Sequence, residues 1–406
     1  MIMDVQEIPF SELLSTVVDN RGKTCPTART GIPLIATNCI RNELLYPTYD
    51  KVRFVSKHTY DTWFRSHPEP GDIIFVNKAT PGRVCLVPDP VDFCIAQDMV
   101  AVRANPKCVY PKYLFSVLRS PLVQKKIGQM HVGTLIPHFK KGDFDKLLLP
   151  IPGRKEQEFI GNTYFVFSAK IELNRQMNET MEAMTQDLFY SWFVAPIEKG
   201  LPDGWRRCSI LDLASNIQYG LTQSASSEPV GPRFLRITDI QGGTVDWGSV
   251  PFCKVSQDEY ERYRLKSGDV LVARTGASTG ENIYLPGVSD AVFASYLVRF
   301  QFSDAAIARF VGAFMRTSEY FDYVAGRIGG SAQPNASAQV LAGAELVLPN
   351  PELVRRYAEI VAPMDNRIFA NNEESRTLAA LRDALLPKLL SGEIRINRKQ
   401  LSEELQ

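Results

Sequence analysis

Metal-binding patterns are missing from this 406-residue chain, which holds seven cysteines and only four histidines. No two of Cys25, Cys39, Cys85, Cys94, Cys108, Cys208 and Cys253 stand two or three residues apart, and His58, His67, His131 and His138 do not flank them at ligand spacing. Tetrahedral zinc needs such clustering, so no metal is expected and the thiols read as free. Uncharged apolar runs of the ~18 residues that span a bilayer are also absent. The opening residues Met1 to Phe10 lack a basic-then-apolar leader pattern, so the expected setting is cytoplasmic, with no membrane partner.

Charge of one sign is lacking too. Lys and Arg number 46 against 45 Asp and Glu, a net of +1. A surface devoted to a polyanion would be basic, because phosphates are neutralised by lysine and arginine. The imbalance is local: Arg103 to Lys155 holds eleven Lys or Arg and two acids, Asp143 and Asp145. That stretch either faces a polyanion or is a solvated basic surface.

Catalytic signatures are equally scarce. Arg21-Gly22-Lys23-Thr24 looks like the end of a phosphate-binding loop, but Val17 stands where its first glycine belongs. Asp89-Pro90-Val91 and Asn350-Pro351-Glu352 fall short of the Asn/Asp-Pro-Pro-aromatic string of an adenine methyltransferase. No glycine-rich dinucleotide turn follows a strand. Only a hydrolase whose residues meet in space escapes this survey.

What the chain does have is a long repeat. Shifted by 197 to 200 residues, it matches itself in order: Pro33-Leu34-Ile35 on Arg233-Phe234-Leu235, Gly71-Asp72-Ile73-Ile74 on Gly268-Asp269-Val270-Leu271, Gly133-Thr134-Leu135-Ile136-Pro137 on Gly330-Ser331-Ala332-Gln333-Pro334, and Leu147-Leu148-Leu149-Pro150 on Leu346-Val347-Leu348-Pro349. Each copy opens with a mixed α/β part whose Gly-Asp-apolar runs read as buried strands. A long helix follows in each copy. Its apolar stripe runs through Ile160, Tyr164, Phe167, Ile171, Met181, Met184, Leu188 and Trp192 in the first copy, and through Met364, Ile368, Leu378, Leu381, Leu385 and Leu389 in the second. Asn174 and Asn371 share one stripe position, where a polar residue fixes register in paired helices. Ordinary core packing is the other reading of such a stripe. Pro363 is expected to bend the second helix or delay its start.

Specific strings carry a family resemblance: Leu-Pro-Asp-Gly-Trp at 201–205, Arg236-Ile237-Thr238-Asp239, Gly268 through Gly276, and the helix from Ile171-Glu172-Leu173-Asn174-Arg175 to Leu188-Phe189-Tyr190-Ser191-Trp192-Phe193. With them the chain resembles the specificity subunits of type I restriction-modification systems over nearly its whole length. The first copy departs from the pattern at Phe75-Val76-Asn77-Lys78-Ala79-Thr80.

The resemblance implies an α+β fold with two similar mixed α/β target-recognition domains, separated by two long antiparallel helices that form a coiled-coil spacer, in a pseudo-two-fold internal repeat. Expected boundaries are 1–152 for the first recognition domain, 153–197 for the central helix, 198–350 for the second domain, 351–394 for the C-terminal helix and 395–406 for a tail. It further implies a non-catalytic reader of a bipartite, asymmetric site in double-stranded DNA, docked to two methyltransferase subunits and to restriction/translocase subunits. S-adenosylmethionine, ATP and Mg would sit on those partners, with no cofactor in this chain. A free-standing two-domain DNA-binding or scaffold protein is the alternative.

Candidate DNA contacts are polar residues in or beside turns, where loops present side chains from a rigid scaffold. In the first domain they are Lys23, Asn38, Asn77, Lys78, Thr80, Arg83, Thr134, His138 and Lys140; in the second, Tyr219, Thr222, Arg236, Arg274, Thr275, Ser278, Ser331 and Gln333. Arginine suits guanine edges and glutamine adenine edges. Phe167, Ile171, Asn174, Met181, Leu188, Met364, Ile368, Asn371, Leu378 and Leu385 are the candidates for helix pairing and partner docking.

Overall fold

Gly71-Asp72 and Gly268-Asp269 show how the sequence builds its strands. Both glycines take positive φ, 84° and 91°, which a side chain would strain. Each following aspartate is buried and folds back on the turn: Asp72 accepts from the Glu69 amide at 2.9 Å, and Asp269 from the Lys266 amide at 2.9 Å. Arg103 answers the first carboxylate at 2.8 and 3.0 Å; Gln301 at 2.8 Å and Arg299 at 3.6 Å answer the second. The turns launch Ile73–Val76 and Val270–Ala273, in which every residue is buried.

The computed structural model describes residues 5–20, 23–130, 137–328 and 334–394. It divides into two compact units, Met1–Leu173 with Ser375–Gln406, and Asn174–Glu374. The divide falls inside both long helices, so each unit holds a globular part and a portion of each helix.

In the first unit, Ile73–Val76 lies in a four-stranded antiparallel sheet between Met99–Ala104 and Val84–Leu86, with Leu14–Asp19 on the far edge of Met99–Ala104. A second sheet pairs Ile32–Ile35 with Arg53–Val55 antiparallel and with Cys94–Ile95 parallel. Gln6–Pro9 pairs with Leu148–Ile151. Phe10, Phe75, Phe115, Phe139 and Phe144 make the core, closed by Ile160 and Tyr164 of one long helix and by Leu386 and Leu389 of the other. Each such aliphatic side chain contributes about 1.5–3 kcal/mol by leaving water.

The second unit repeats the strand order. Val270–Ala273 sits between Leu297–Gln301 and Asn282–Tyr284, with Asn216–Tyr219 beyond Leu297–Gln301. Arg233–Leu235 runs parallel to Ala291–Phe293, and Arg206–Ser209 pairs with Glu345–Leu348. One arginine clamps each unit in the same way. Arg119 donates to the carbonyls of Val84 and Leu44; Arg316, 197 residues on, donates to those of Asn282 at 3.3 Å and Gly242 at 3.4 Å.

The long helices span Arg154–Phe189, continued by a π turn over Tyr190–Val194, and Pro351–Leu390. In the second unit they run antiparallel: Asn174 meets Asn371 and Glu374, Asn178 meets Asn371 and Asn372, and Phe189 and Phe193 pack on Tyr357. Two sequence expectations need correction. Pro363 does not delay the start of its helix, which begins at Pro351 and continues to Leu390; the proline lies on an exposed position, and packing on either side of it outweighs the ~3 kcal/mol propensity cost. The apolar pairing candidates are also not the most buried helix positions, which include Ile160, Tyr164, Tyr357, Val361, Leu386 and Leu389. Phe167, Ile171, Met181, Leu188, Met364, Ile368, Leu378 and Leu385 are half-buried, whereas Ser168, Glu172, Asn174, Asn178, Thr185, Asp365, Asn371 and Arg382 are buried. Several of the buried polar side chains hydrogen-bond across the pair, as Asn371 Nδ2 does to Asn178 Oδ1 at 2.8 Å, while Asp365 is answered by Arg309.

All seven cysteines are unpaired, and burial pushes the Cys85 and Cys94 thiols up to about 12. Among the described residues no helix is long and apolar enough to cross a membrane, and no group of three His, Cys, Asp or Glu is placed to hold a metal.

Candidate nucleic-acid interface

In each unit the loop after the central strand is pinned by a second loop. In the first, Lys78 forms an antiparallel bridge with His138; the Ala79 amide donates to Pro137 at 3.0 Å and the Phe139 amide to Asn77 at 2.8 Å. In the second, Thr275 bridges Asn335; the Gly276 amide donates to Pro334 at 2.9 Å and the Ala336 amide to Arg274 at 2.8 Å. Every partner is displaced by 197 residues. Ala79 and Gly276, at equivalent positions, both take positive φ, 68° and 73°. Alanine tolerates that region poorly, and the two bridge hydrogen bonds hold it there.

Different side chains stand on this shared frame. In the second unit the Arg274 guanidinium lies 4.7 Å from the Tyr219 ring and donates to Asn335 Oδ1 at 3.2 Å. The Tyr219 hydroxyl accepts from the Ala338 amide at 2.9 Å, fixing the ring under the cation. The result is an arginine held over a ring and half-exposed, an arrangement that suits recognition of a base edge. Ser278 receives a hydrogen bond from Gln241 at 3.4 Å. Arg236 is clamped on Asp239 at 2.9 and 3.0 Å, which takes up much of its donor fork, while Thr222 is exposed.

The first unit offers an ammonium where the second has a threonine. Lys78 Nζ stands 3.8 Å from Asp98, with His138 alongside on the bridged loop. Asn77, the counterpart of Arg274, is turned inward: its side chain is 7 % exposed and donates to the Phe139 carbonyl at 2.9 Å. The neutral amide is sealed beneath the loop and braces it from inside. Thr80 is half-buried, Arg83 donates to the Ile40 carbonyl at 3.4 Å, and Asn38 to that of Asp50 at 2.6 Å. Lys23 and Lys140 are exposed. Thr134, Ser331 and Gln333 lie outside the described residues.

Two residues at this face escaped the sequence reading. Asn335 pairs with Arg274, and the repeat itself points to it, since the 197-residue shift carries His138 onto Asn335. Tyr296, 58 % exposed, accepts the Arg274 amide through its carbonyl at 3.0 Å; Asp98 accepts the Asn77 amide in the same role. No local motif marks either.

Comparison with known proteins bears on this face. The family described as type I restriction modification DNA specificity domain matches residues 22–183. The MjaIX specificity subunit of Methanocaldococcus jannaschii is 21% identical over 392 residues, covering 90% of this chain and 87% of that protein. The EcoKI specificity subunit of Escherichia coli is 22% identical over 388 residues, covering 89% and 82%. This chain is a relative of the type I specificity subunits. The relationship extends to the fold: the S subunit of M. genitalium superposes with a TM-score of 0.60 at 15% identity, over 95% of this chain and 96% of that one. In this specificity-subunit relative, the family match takes in the first bridged loop pair, and the whole-length matches bring the second within the same relationship.

Proposed function

We propose that this chain is the non-catalytic DNA-specificity subunit of a type I restriction-modification complex, reading a bipartite, asymmetric duplex site. Its recognition domains are residues 1–152 and 198–350, and its long helices, 153–197 and 351–394, are spacer and docking surface for two methyltransferase subunits, which restriction/translocase subunits join. S-adenosylmethionine, ATP and Mg belong to those partners, and the complex works in the cytoplasm.

One observation carries this reading. The same bridge-locked loop pair recurs 197 residues apart with different side chains on it, Lys78 and His138 in one unit, Arg274, Thr275 and Asn335 in the other. A common frame with unlike residues is what reading two unlike half-sites requires, because phosphate contacts position a protein while base edges specify sequence. The 36-residue helix, about 54 Å long at 1.5 Å per residue, suits half-sites one to two DNA turns of roughly 34 Å apart.

Genome-wide mapping of methylated adenine, with and without the gene, tests the reading. Loss of methylation at one split motif with an unread central spacer is expected. An unchanged methylome, or loss at an uninterrupted motif, would overturn it in favour of a free-standing binding or scaffold protein.

A further inference from the structure

Set side by side at the 197-residue shift, the two units differ at a buried place between their helices. In the first unit Arg382 is 5 % exposed; its guanidinium lies 5.2 Å from the Tyr164 ring and donates to Ser168 Oγ at 3.4 Å. The equivalent positions in the second unit are Thr185, Val361 and Asp365. A large cation has become a small hydroxyl and its aromatic bed a valine, while a carboxylate stands where the serine was. One helical turn before Thr185, Glu182 replaces the first unit's Ala379. Arg382 also donates to Asp383 at 2.8 Å, and Gln186 stands at the position equivalent to that carboxylate, so the second unit has lost an ion pair here and gained the carboxylates of Glu182 and Asp365.

A partly open cavity of about 370 Å³ occupies this part of the second unit, lined by Glu182, Thr185 and Asp365 and walled by Phe189, Trp247 and Tyr357 among others. Its charges do not balance. The lining holds the acids Glu182, Glu319 and Asp365 against Arg309 and Arg316. Arg309 is taken by Asp365 at 2.5 and 3.1 Å, and Arg316 by the Asn282 and Gly242 carbonyls and by Glu281 at 3.5 Å. Among the described residues Glu182 makes no ion pair and its carboxylate accepts no hydrogen bond, although it is half-buried. The Tyr357 hydroxyl, on a fully buried side chain, also lacks a partner. A desolvated carboxylate and an orphaned hydroxyl beside aromatic faces are the complement of a planar organic cation, which ring quadrupoles attract and a carboxylate neutralises.

We propose that this cavity binds a guanidinium group, with Glu182 as its counter-ion and the aromatic wall as its bed. The bound group takes the place that the first unit fills with Arg382. A small free molecule or an arginine side chain of a peptide can supply that chemistry. The site is independent of DNA reading, so its test omits DNA.

Calorimetry and thermal melts of the full chain with agmatine, and separately with a Gly-Arg-Gly peptide, distinguish the sources. One saturable site is expected for at least one probe, with propionate giving none; the tighter probe names the source. Glu182→Gln, nearly isosteric, is expected to weaken binding at least tenfold, and Glu182→Asp to retain it. Thr185→Arg, which tethers a guanidinium in the cavity as the first unit does, is expected to abolish binding while raising the melting temperature. No saturable binding of either probe at millimolar concentration, or equal affinity in Glu182→Gln, would overturn the proposal.

Discussion

Replacing Arg309 by alanine separates two accounts of what holds the second unit together. Arg309 and Asp365 make a two-bond ion pair at 2.5 and 3.1 Å, each side chain 11 % exposed, and the guanidinium also lies 5.2 Å from the Tyr284 ring and 5.8 Å from that of Tyr357. Removing one partner of a buried pair strands the other charge, which costs about 3–5 kcal/mol. For a unit of this size, from Asn174 to Glu374, each kcal/mol moves the melting point by about 2–4 °C, so a fall of roughly 6–20 °C is expected. Trp192, Trp205 and Trp247 lie in this unit and only Trp63 in the other, so tryptophan fluorescence weights the melt toward the right transition. The companion is Arg309→Met with Asp365→Leu, which removes both charges at similar volume and is expected to lose much less. A single variant costing under about 1 kcal/mol, or a double variant as unstable as the single, would refute the stranded-charge argument.

Other outcomes follow from the same geometry. Arg274→Ala is expected to weaken binding at one half-site only, by about 1–3 kcal/mol, if its fork meets a base edge; equal loss on all sequences in a binding assay would make it a phosphate contact. Asn77→Ala should instead cost about 1–3 kcal/mol of stability, read from urea midpoints, because it strips a buried hydrogen bond from Phe139; unaltered stability with lost DNA affinity would contradict that. Glu182 has its carboxyl pushed above the ordinary glutamate range by burial first and then by Glu179 and Asp365, with Arg316 opposing. A raised value in the fold favours the protonated form, so this residue's stability contribution is complete at low pH and lost as pH rises through the raised value. Without ligand, Glu182→Gln is expected to match the unaltered chain near pH 4 and to exceed it at pH 8; a less stable variant at pH 8 would exclude this.

The sequence made the frame legible where a rule of local chemistry acts. Gly71-Asp72 and Gly268-Asp269 announce strands because positive φ requires glycine and the aspartate closes the turn. The helices were readable from their stripe, whose members Ile160, Tyr164 and Leu389 are buried, but not which polar positions sink with them. That depends on amide and carboxylate partners such as Asn178 and Asn371, about two hundred residues apart, which periodicity of apolar residues cannot register. The candidate face was harder. Lys78, His138, Arg274 and Thr275 were singled out because they sit beside glycine-rich turns or on the repeat. Asn77 was placed with them on spelling alone, and only its tertiary setting shows that it points inward. Tyr296 is brought near Arg274 by strand pairing, for which no local signal exists.

The helix divide has a consequence for synthesis on the ribosome. The unit from Asn174 to Glu374 is one unbroken stretch, and all it needs has been made once Glu374 has emerged. The unit containing the N-terminal globule cannot close its core until Leu386 and Leu389 appear, although most of its residues were translated first. Vectorial folding is thus inverted: the half made second matures first, and the half made first waits, with Ile160 and Tyr164 uncovered, for the last turns of the final helix. A nonsense mutation near codon 375 would accordingly injure the opposite end of the polypeptide from the one it shortens.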